Sequence, residues 1–134
     1  MNIGESLTRN AQHFPDKRAI VDAYRSVSYG ELQERTDRLA NYLLDRGVSK
    51  GDLVGLSIGS RAEHFEALFA IAKIGAVAIP FDFNWGAQEC DAMLRFFAPK
   101  AFFIELRKET DALLVLARAA IGTDKRILIA DDKV

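Results

Sequence analysis

The sequence predicts an α/β fold: a doubly wound, mostly parallel sheet flanked by helices, with an N-terminal helix and a β-hairpin. Four short runs are apolar on both faces instead of alternating, which is typical of strands in a covered parallel sheet. Amphipathic helical segments separate these runs, as parallel crossovers require, and we expect the crossovers to be right-handed. The runs are Leu53–Ile58, Ala76–Ile79, Ala101–Ile104 and Ile127–Ile129.

The N-terminal part of the chain is predicted to form a helix followed by the hairpin. Apolar residues recur at helical spacing from Ile3 to Phe14, and Pro15 ends that helix. Two short strand-like runs, at 19–21 and around Val27, flank a polar turn and predict two antiparallel strands. This part therefore precedes the alternation of strands and helices.

Four further segments are predicted to be helices. In each, apolar residues recur every three or four positions, so that one face can pack on the sheet. One of them is apolar around most of its circumference, so we expect it to need more cover than 134 residues easily supply. Gly47, Gly75 and Gly122 follow three of the helices, where a left-handed residue is favoured. The segments are Tyr29–Arg46, Arg61–Ile74 (the apolar one), 90–97 and 113–121.

Two helices carry the same signal at their N-termini. Ser28 is followed three residues later by Glu31, and Ser60 is followed by Glu63. In this spacing the hydroxyl accepts a hydrogen bond from the first turn and the carboxylate reaches back. We therefore predict a capping box at both helix starts.

Composition excludes several classes of function. Eighteen Lys and Arg stand against nineteen Asp and Glu, so no charged surface predicts a nucleic-acid partner. The single cysteine, Cys90, excludes an internal disulfide and fits a reducing compartment. No apolar run approaches the ~20 residues that span a bilayer, and the first residues do not resemble a signal peptide. We expect a cytoplasmic protein without a membrane span.

Two stretches resemble the core motifs of a known family. They are Val27–Leu32 (Val-Ser-Tyr-Gly-Glu-Leu) and Ile71–Asp82 (Ile-Ala-Lys-Ile-Gly-Ala-Val-Ala-Ile-Pro-Phe-Asp). In this order and at this separation they resemble the first two motifs of the adenylate-forming enzymes, which include acyl-CoA synthetases, peptide-synthetase adenylation domains and luciferases. The chain is most similar to a fatty acid–CoA ligase. The resemblance implies that residues 1–134 are the N-terminal α/β subdomain of a larger AMP-binding ligase.

The resemblance implies activation of a carboxylate by ATP to an acyl-adenylate, followed by transfer to a thiol. ATP, Mg²⁺ and CoA are therefore implied for the parent enzyme. The family's phosphate-binding loop and catalytic lysine would lie beyond Val134, so we assign no catalytic, cofactor-binding or metal residue and expect this segment alone to be inactive. At Asp82–Trp85 the chain also lacks the arginine common in CoA-using members. The acceptor, CoA or a carrier protein, thus stays open.

Other residues with chemical potential have ordinary structural interpretations. His13 and His64 lie on different predicted helices without a ligand-spaced partner, so we expect no metal role. Cys90 lies on an apolar helix face and is interpreted as a core residue, not as a nucleophile. Phe83 and Trp85 either line an acyl tunnel or cover the sheet edge, and we favour cover.

Two hypotheses from different classes remain. In the first, the chain is the N-terminal part of an ATP-dependent acid–thiol ligase, whose partner is the rest of the parent enzyme. In the second, it is a free-standing α/β interaction or small-ligand-binding module without adenylation activity. The first hypothesis also predicts exposed apolar surface through which the chain alone forms a homodimer.

Overall fold

The computed structural model describes residues 3–130, so residues 1–2 and 131–134 of the predicted domain lie outside the described part. Two 3₁₀ turns, Lys108–Thr110 and Asp124–Arg126, precede the last helix and the last strand. The main elements agree with the predicted segments to within two residues at each end, except that α4 begins three residues before the predicted start at residue 90. In chain order they are α1 Ile3–His13, β1 Arg18–Val21, β2 Ser26–Ser28, α2 Tyr29–Asp45, β3 Leu53–Ser57, α3 Ala62–Lys73, β4 Val77–Pro80, α4 Ala87–Phe97, β5 Ala101–Glu105, α5 Asp111–Ile121 and β6 Ile127–Ala130.

The main sheet has four parallel strands in the order β4-β3-β5-β6, and β1 pairs with β2 as a separate antiparallel hairpin. Leu56 of β3 lies opposite Pro80 on one side and Phe103 on the other. The crossover from β3 to β4 moves in one direction across the sheet, with α3 on one face. The crossovers from β4 to β5 and from β5 to β6 move in the opposite direction, with α4 and α5 on the other face. All three crossovers therefore share one hand, and the doubly wound prediction is confirmed.

The two faces of the sheet are packed against different helix pairs. On one face, α2 and α3 bury aliphatic side chains against β3 and β5. On the other face, α4 and α5 enclose Phe102, which lies across Gly55. A Cβ at Gly55 would lie 2.1 Å from the Phe102 ring, so only glycine fits this close approach. Both central strands are buried along almost their full length, while the edge strands are partly exposed.

A third core lies between α1, the hairpin and α3, and it covers the helix that is apolar on most sides. Leu7, Val27, Leu32 and Ala62 are buried there, with Phe69 packed against them. Most of the circumference of α3 is therefore covered within this chain. The expectation that α3 needs much more protein is wrong in this respect, although Phe65 of α3 itself remains 41% exposed.

The start of α2 confirms the hydroxyl half of its predicted capping box, with the Glu31 carboxylate accepting from the Ser28 hydroxyl at 3.2 Å, and the start of α3 contradicts the prediction made there. The Ser28 hydroxyl accepts a hydrogen bond from Glu31 N at 3.2 Å, as expected. At α3 the prediction is wrong: the N-cap residue is Arg61, no side chain at that position caps the helix, and Glu63 instead binds the Arg61 guanidinium. The predicted left-handed glycines after α2, α3 and α5 all have positive φ, at 85°, 75° and 79°.

Candidate functional site

The sheet topology singles out one place for a site: the carboxyl edge between β3 and β5. The chain leaves β3 toward α3 on one face and leaves β5 toward α5 on the other. In doubly wound sheets the loops separate at such a switch point, and ligands bind in the resulting crevice. We call the residues at and just beyond the carboxyl ends of β3 and β5, Gly59 to Arg61 and Glu105 to Arg107, the switch-point crevice.

Glu105 is the central side chain of the switch-point crevice. Its Oε1 accepts a hydrogen bond from Gly59 N at 3.2 Å and lies 3.9 Å from Arg61 Nη1. Its Oε2 lies 3.6 Å from Arg107 Nη1, and the Arg107 guanidinium stacks on Phe83 at 4.2 Å from the ring centroid. Glu105 thus joins the two loops at the carboxyl edge of the sheet.

The backbone after β5 is fixed by a second polar contact. The Thr110 hydroxyl donates to Glu105 O at 2.8 Å and accepts from Arg107 N at 3.0 Å. Because Thr110 is buried, these bonds satisfy groups that would otherwise be desolvated without partners. The turn that carries Arg107 is therefore held by its own backbone and Thr110.

Glu105 belongs to a continuous series of ion pairs that we call the ion-pair chain. Charges alternate in sign along its eight members, and each neighbouring pair lies between 2.6 and 3.9 Å apart. It runs from α2 across α3 and the hairpin turn to the carboxyl end of β5. Such a network is worth more than isolated surface pairs, because each charge holds its neighbours in place. The members, in order, are Arg35, Glu66, Arg25, Glu63, Arg61, Glu105, Arg107 and Glu109.

The most buried carboxylate of the ion-pair chain is Glu66, whose side chain is 3% exposed. Arg35 Nε donates to its Oε1 at 2.6 Å, and Arg25 Nη2 donates to the same oxygen at 2.7 Å. The hydrogen bond that Arg35 donates to Glu66 raises the pKa of Arg35 above its ordinary value. Two guanidinium groups thus compensate one buried carboxylate and connect α2, α3 and the hairpin.

Asp22, in the hairpin turn, occupies the N-terminus of α3. Its Oδ2 accepts from Ala62 N at 2.5 Å, and its Oδ1 accepts from Tyr24 N and Arg25 N at 2.7 and 2.8 Å. An exposed helix N-terminus is a natural anion site, but here an internal carboxylate already satisfies it. Asp22 therefore replaces the cap that the local sequence predicts at Ser60.

Two of these carboxylates have lowered pKa values. Partial burial alone would raise the pKa of Asp22, but the N–H donors of Arg25, Tyr24 and Ala62 outweigh it. Burial likewise opposes the lowering at Glu63, where the hydrogen bond from Arg61 and the charge of Arg25 hold the pKa below its usual value. Both groups stabilise the fold when ionised, and that stabilisation is lost as the pH falls through their pKa values.

The other residues considered in the sequence have structural surroundings. His64 Nδ1 bonds to Ile58 O at 2.9 Å, and His13 lies on α1, on a different helix. Cys90 is buried in the α4/α5 core, and burial and then Glu89 raise the pKa of its thiol, so it is not an activated nucleophile. Trp85 packs edge-on against Phe81 at 5.3 Å, in agreement with the favoured role as cover.

The charged groups at the carboxyl edge of the sheet are paired within the chain. The α3 N-terminus is taken by Asp22, and the crevice guanidinium groups face carboxylates of the chain itself. Between residues 3 and 130 there is no group of three or more His, Cys, Asp and Glu side chains that could hold a metal ion. No helix in the same range is long and apolar enough to cross a membrane. The paired guanidinium and carboxylate groups brace the loops at the carboxyl edge of the sheet.

Sequence reasoning did not identify Asp22, Glu66 or Glu105 as important. A weak signal was present for Glu105, because it directly follows an apolar strand run. Asp22 and Glu66 gave no such signal. Asp22 binds the amide of Ala62 and Glu66 binds Arg25, and in each pair the two residues lie about forty positions apart along the chain.

Comparison with known proteins gives consistent findings. The family model described as AMP-binding enzyme matches residues 7–133. A medium/long-chain-fatty-acid–CoA/3-oxocholest-4-en-26-oate–CoA ligase of Mycolicibacterium smegmatis is 34% identical over 85 residues, covering 63% of this chain and 15% of that protein. Phosphinothricin tripeptide synthetase PhsC of Streptomyces viridochromogenes is 36% identical over 89 residues, covering 66% and 8%.

The fold is also similar to that of solved structures. The N-terminal domain of FACL13 from Mycobacterium tuberculosis superposes with a TM-score of 0.83 at 26% identity, covering 96% of this chain and 33% of that domain. The chain thus spans about a third of this solved domain and a much smaller share of the two relatives above.

Proposed function

The chain belongs to the AMP-binding enzymes, and from this premise we propose that it is the N-terminal part of an ATP-dependent acid–thiol ligase. In this proposal the whole ligase converts a carboxylate to an acyl-adenylate and then to a thioester, with CoA as the acceptor. ATP supplies the activating group, and Mg²⁺ offsets charge on its phosphates. The 134 residues contribute a brace at the carboxyl edge of the sheet and no catalytic group.

One observation carries the proposal: the charged groups of the switch-point crevice are paired with one another. Glu105 occupies its centre, and Arg61 and Arg107 flank it at 3.9 and 3.6 Å. A site that bound a free anion would leave at least one cation available to it, whereas these guanidinium groups already face Glu105. The crevice is therefore suited to holding loops in place for machinery that lies elsewhere in a longer polypeptide.

The partner of this brace is, in our proposal, the rest of the ligase polypeptide, which meets the carboxyl edge of the sheet. The stacked Arg107 and Phe83 pair lies at this edge and gives a rigid, partly exposed surface. The single cysteine supports a reducing compartment, and we propose the cytoplasm.

The test is ATP–pyrophosphate exchange. We expect no exchange above background from the 134-residue chain with a panel of carboxylic acids. The guanidinium groups of the crevice already face Glu105, and residues 3–130 bring together no group of three or more His, Cys, Asp and Glu side chains that could hold a metal ion. A longer polypeptide from the same reading frame should release AMP, and CoA should increase the turnover. Exchange by the 134-residue chain itself would overturn the assignment of a bracing role. An inactive longer polypeptide would favour the free-standing module instead.

A further inference from the structure

The turn of the β1–β2 hairpin, residues 22–25, contacts three consecutive residues at the start of α3. Each contact is of a different kind: a cation on an aromatic ring, a helix cap and an ion pair. The helix cap joins residues that lie 40 positions apart along the chain. We call residues 22–25 the hairpin strap. The contacting pairs are Tyr24 with Arg61, Asp22 with Ala62 and Arg25 with Glu63.

Tyr24 of the hairpin strap contacts a buried guanidinium. The Arg61 Cζ atom lies 4.5 Å from the centroid of the Tyr24 ring. The Arg61 side chain is only 5% exposed, whereas Tyr24 is 57% exposed. A cation on an aromatic ring is held more strongly when it is desolvated. Tyr24 therefore connects the solvent-exposed surface of the strap with a buried cation.

Arg61 in turn connects the hairpin strap with the switch-point crevice. Its Nη1 lies 3.9 Å from Glu105 Oε1, and the same carboxylate oxygen accepts a hydrogen bond from Gly59 N at 3.2 Å. The backbone N–H of Arg61 also donates to Gly59 O at 2.9 Å. A displacement of Arg61 therefore changes the positions of both partners in the Gly59–Glu105 hydrogen bond.

We propose that the hairpin strap and the switch-point crevice form one cooperative unit, in which detachment of the strap from α3 breaks the Gly59–Glu105 hydrogen bond. Arg61 is the positioning residue that couples the two. Because such coupling is reciprocal, loss of the Glu105 charge also loosens the strap. Contact with the exposed Tyr24 ring is thus transmitted to the loops that follow β3 and β5. The proposal goes beyond the proposed function and does not rest on adenylation chemistry.

The first test is hydrogen exchange of the backbone amides of the 134-residue chain, resolved by NMR. Tyr24→Leu keeps an apolar side chain but removes the ring face that Arg61 contacts. We expect exchange at Gly59 to become about fivefold faster, because the strap detaches more often. Exchange at Val77, at the amino end of β4, should stay unchanged, since only the local unit opens.

The matched control for the first test is Phe14→Leu. The Phe14 ring is 54% exposed and also contacts a cation, with Lys17 Nζ 5.6 Å from the ring centroid, but it is not part of the strap. This variant should leave exchange at Gly59 unchanged. Equal acceleration at Gly59 by Tyr24→Leu and Phe14→Leu overturns the proposal, as does unchanged exchange at Gly59 in Tyr24→Leu. Equal acceleration at Gly59 and Val77 would report global opening and also overturns it.

The second test measures the coupling in the opposite direction. Glu105→Gln keeps a hydrogen-bond acceptor but removes the charge that faces Arg61. Exchange at Ala62, whose N–H donates to Asp22, should become about threefold faster. The control Glu109→Gln removes a carboxylate at the far end of the ion-pair chain and should leave exchange at Ala62 unchanged. Unchanged exchange at Ala62 in Glu105→Gln overturns the coupling. None of these measurements involves ATP, so the two proposals can fail separately.

Discussion

The α4/α5 face of the sheet is packed with aromatic rings, whereas the α2/α3 face combines small aliphatic side chains with buried charges. On the first face Phe81 and Phe102 meet edge to face, with ring centroids 4.8 Å apart. On the second, Ala67 and Ala70 pack beside Glu66, which is held by two arginines. Apolar burial stabilises the first face without regard to direction, while the second depends on directional bonds between distant segments.

This difference predicts that the two faces tolerate substitutions to different degrees. Rings interlocked with a glycine leave no room for added atoms and no solvent to fill a void. Altering a carboxylate that lies between two partly exposed guanidinium groups lowers the free energy of unfolding by less, because those groups can reach water. The predictions below test this contrast by the free energy of unfolding, measured by urea titration.

The largest expected effect is on the aromatic face. Phe102→Ala should lower the free energy of unfolding by about 3–5 kcal/mol, because it leaves a cavity against Gly55. Gly55→Ala alone should cost about 1–3 kcal/mol, since its Cβ would overlap the ring, but much less in the Phe102→Ala background. Phe96→Ala, at a position 80% exposed, is the control and should cost below about 0.5 kcal/mol. Additive losses at Gly55 and Phe102 would contradict the close contact.

An intermediate effect is expected at the buried carboxylate of the α2/α3 face. Glu66→Gln keeps the shape of the side chain but removes the charge that Arg25 and Arg35 share, at a cost of about 1–3 kcal/mol. The control is Glu34→Gln, whose partner Arg38 lies one turn away on the exposed face of α2. That pair should contribute about 0.5 kcal/mol or less. Equal losses for the two variants would show that burial of the ion-pair chain has no energetic consequence.

The smallest effect is expected at the hairpin and should depend on pH. Asp22→Asn keeps an acceptor for Ala62 N but removes a carboxylate of lowered pKa, so the loss near neutral pH should be about 1 kcal/mol or less. The unaltered chain should lose stability as the pH falls below the ordinary carboxyl range and through the lowered pKa values of Asp22 and Glu63, where both become protonated. In Asp22→Asn this acid-dependent loss should be smaller. Asp16→Asn, at an exposed position before β1, is the matched control, and an identical acid dependence in both variants would contradict the role of Asp22.

The sequence predicted most of the elements because their signals are local. Apolar runs marked β3 and β5, and glycines marked the ends of α2, α3 and α5. A strand or helix shows its period within a few residues, so one-dimensional reading suffices. The resemblance in two short motifs was enough to indicate the AMP-binding family, which the match over residues 7–133 confirms.

The candidate site was not predictable in the same way. At α3 the local pattern Ser60–Glu63 indicated a capping box, but Asp22 from the hairpin caps the helix and Glu63 turns to Arg61. Local and long-range acceptors compete for the same helix N–H groups, and packing of the hairpin decides between them. A pattern within one segment cannot report that outcome.

What the sequence alone determined is therefore the order of the elements, the parallel character of the sheet and the family. Only the tertiary structure decided that Glu105 joins the loops after β3 and β5 and that eight charges form one chain. The physical reason is the range of each interaction. Hydrophobic periodicity can be recognised within a single helix or strand. Ion pairs between distant elements, and the surface that stays uncovered, arise only once those elements have packed.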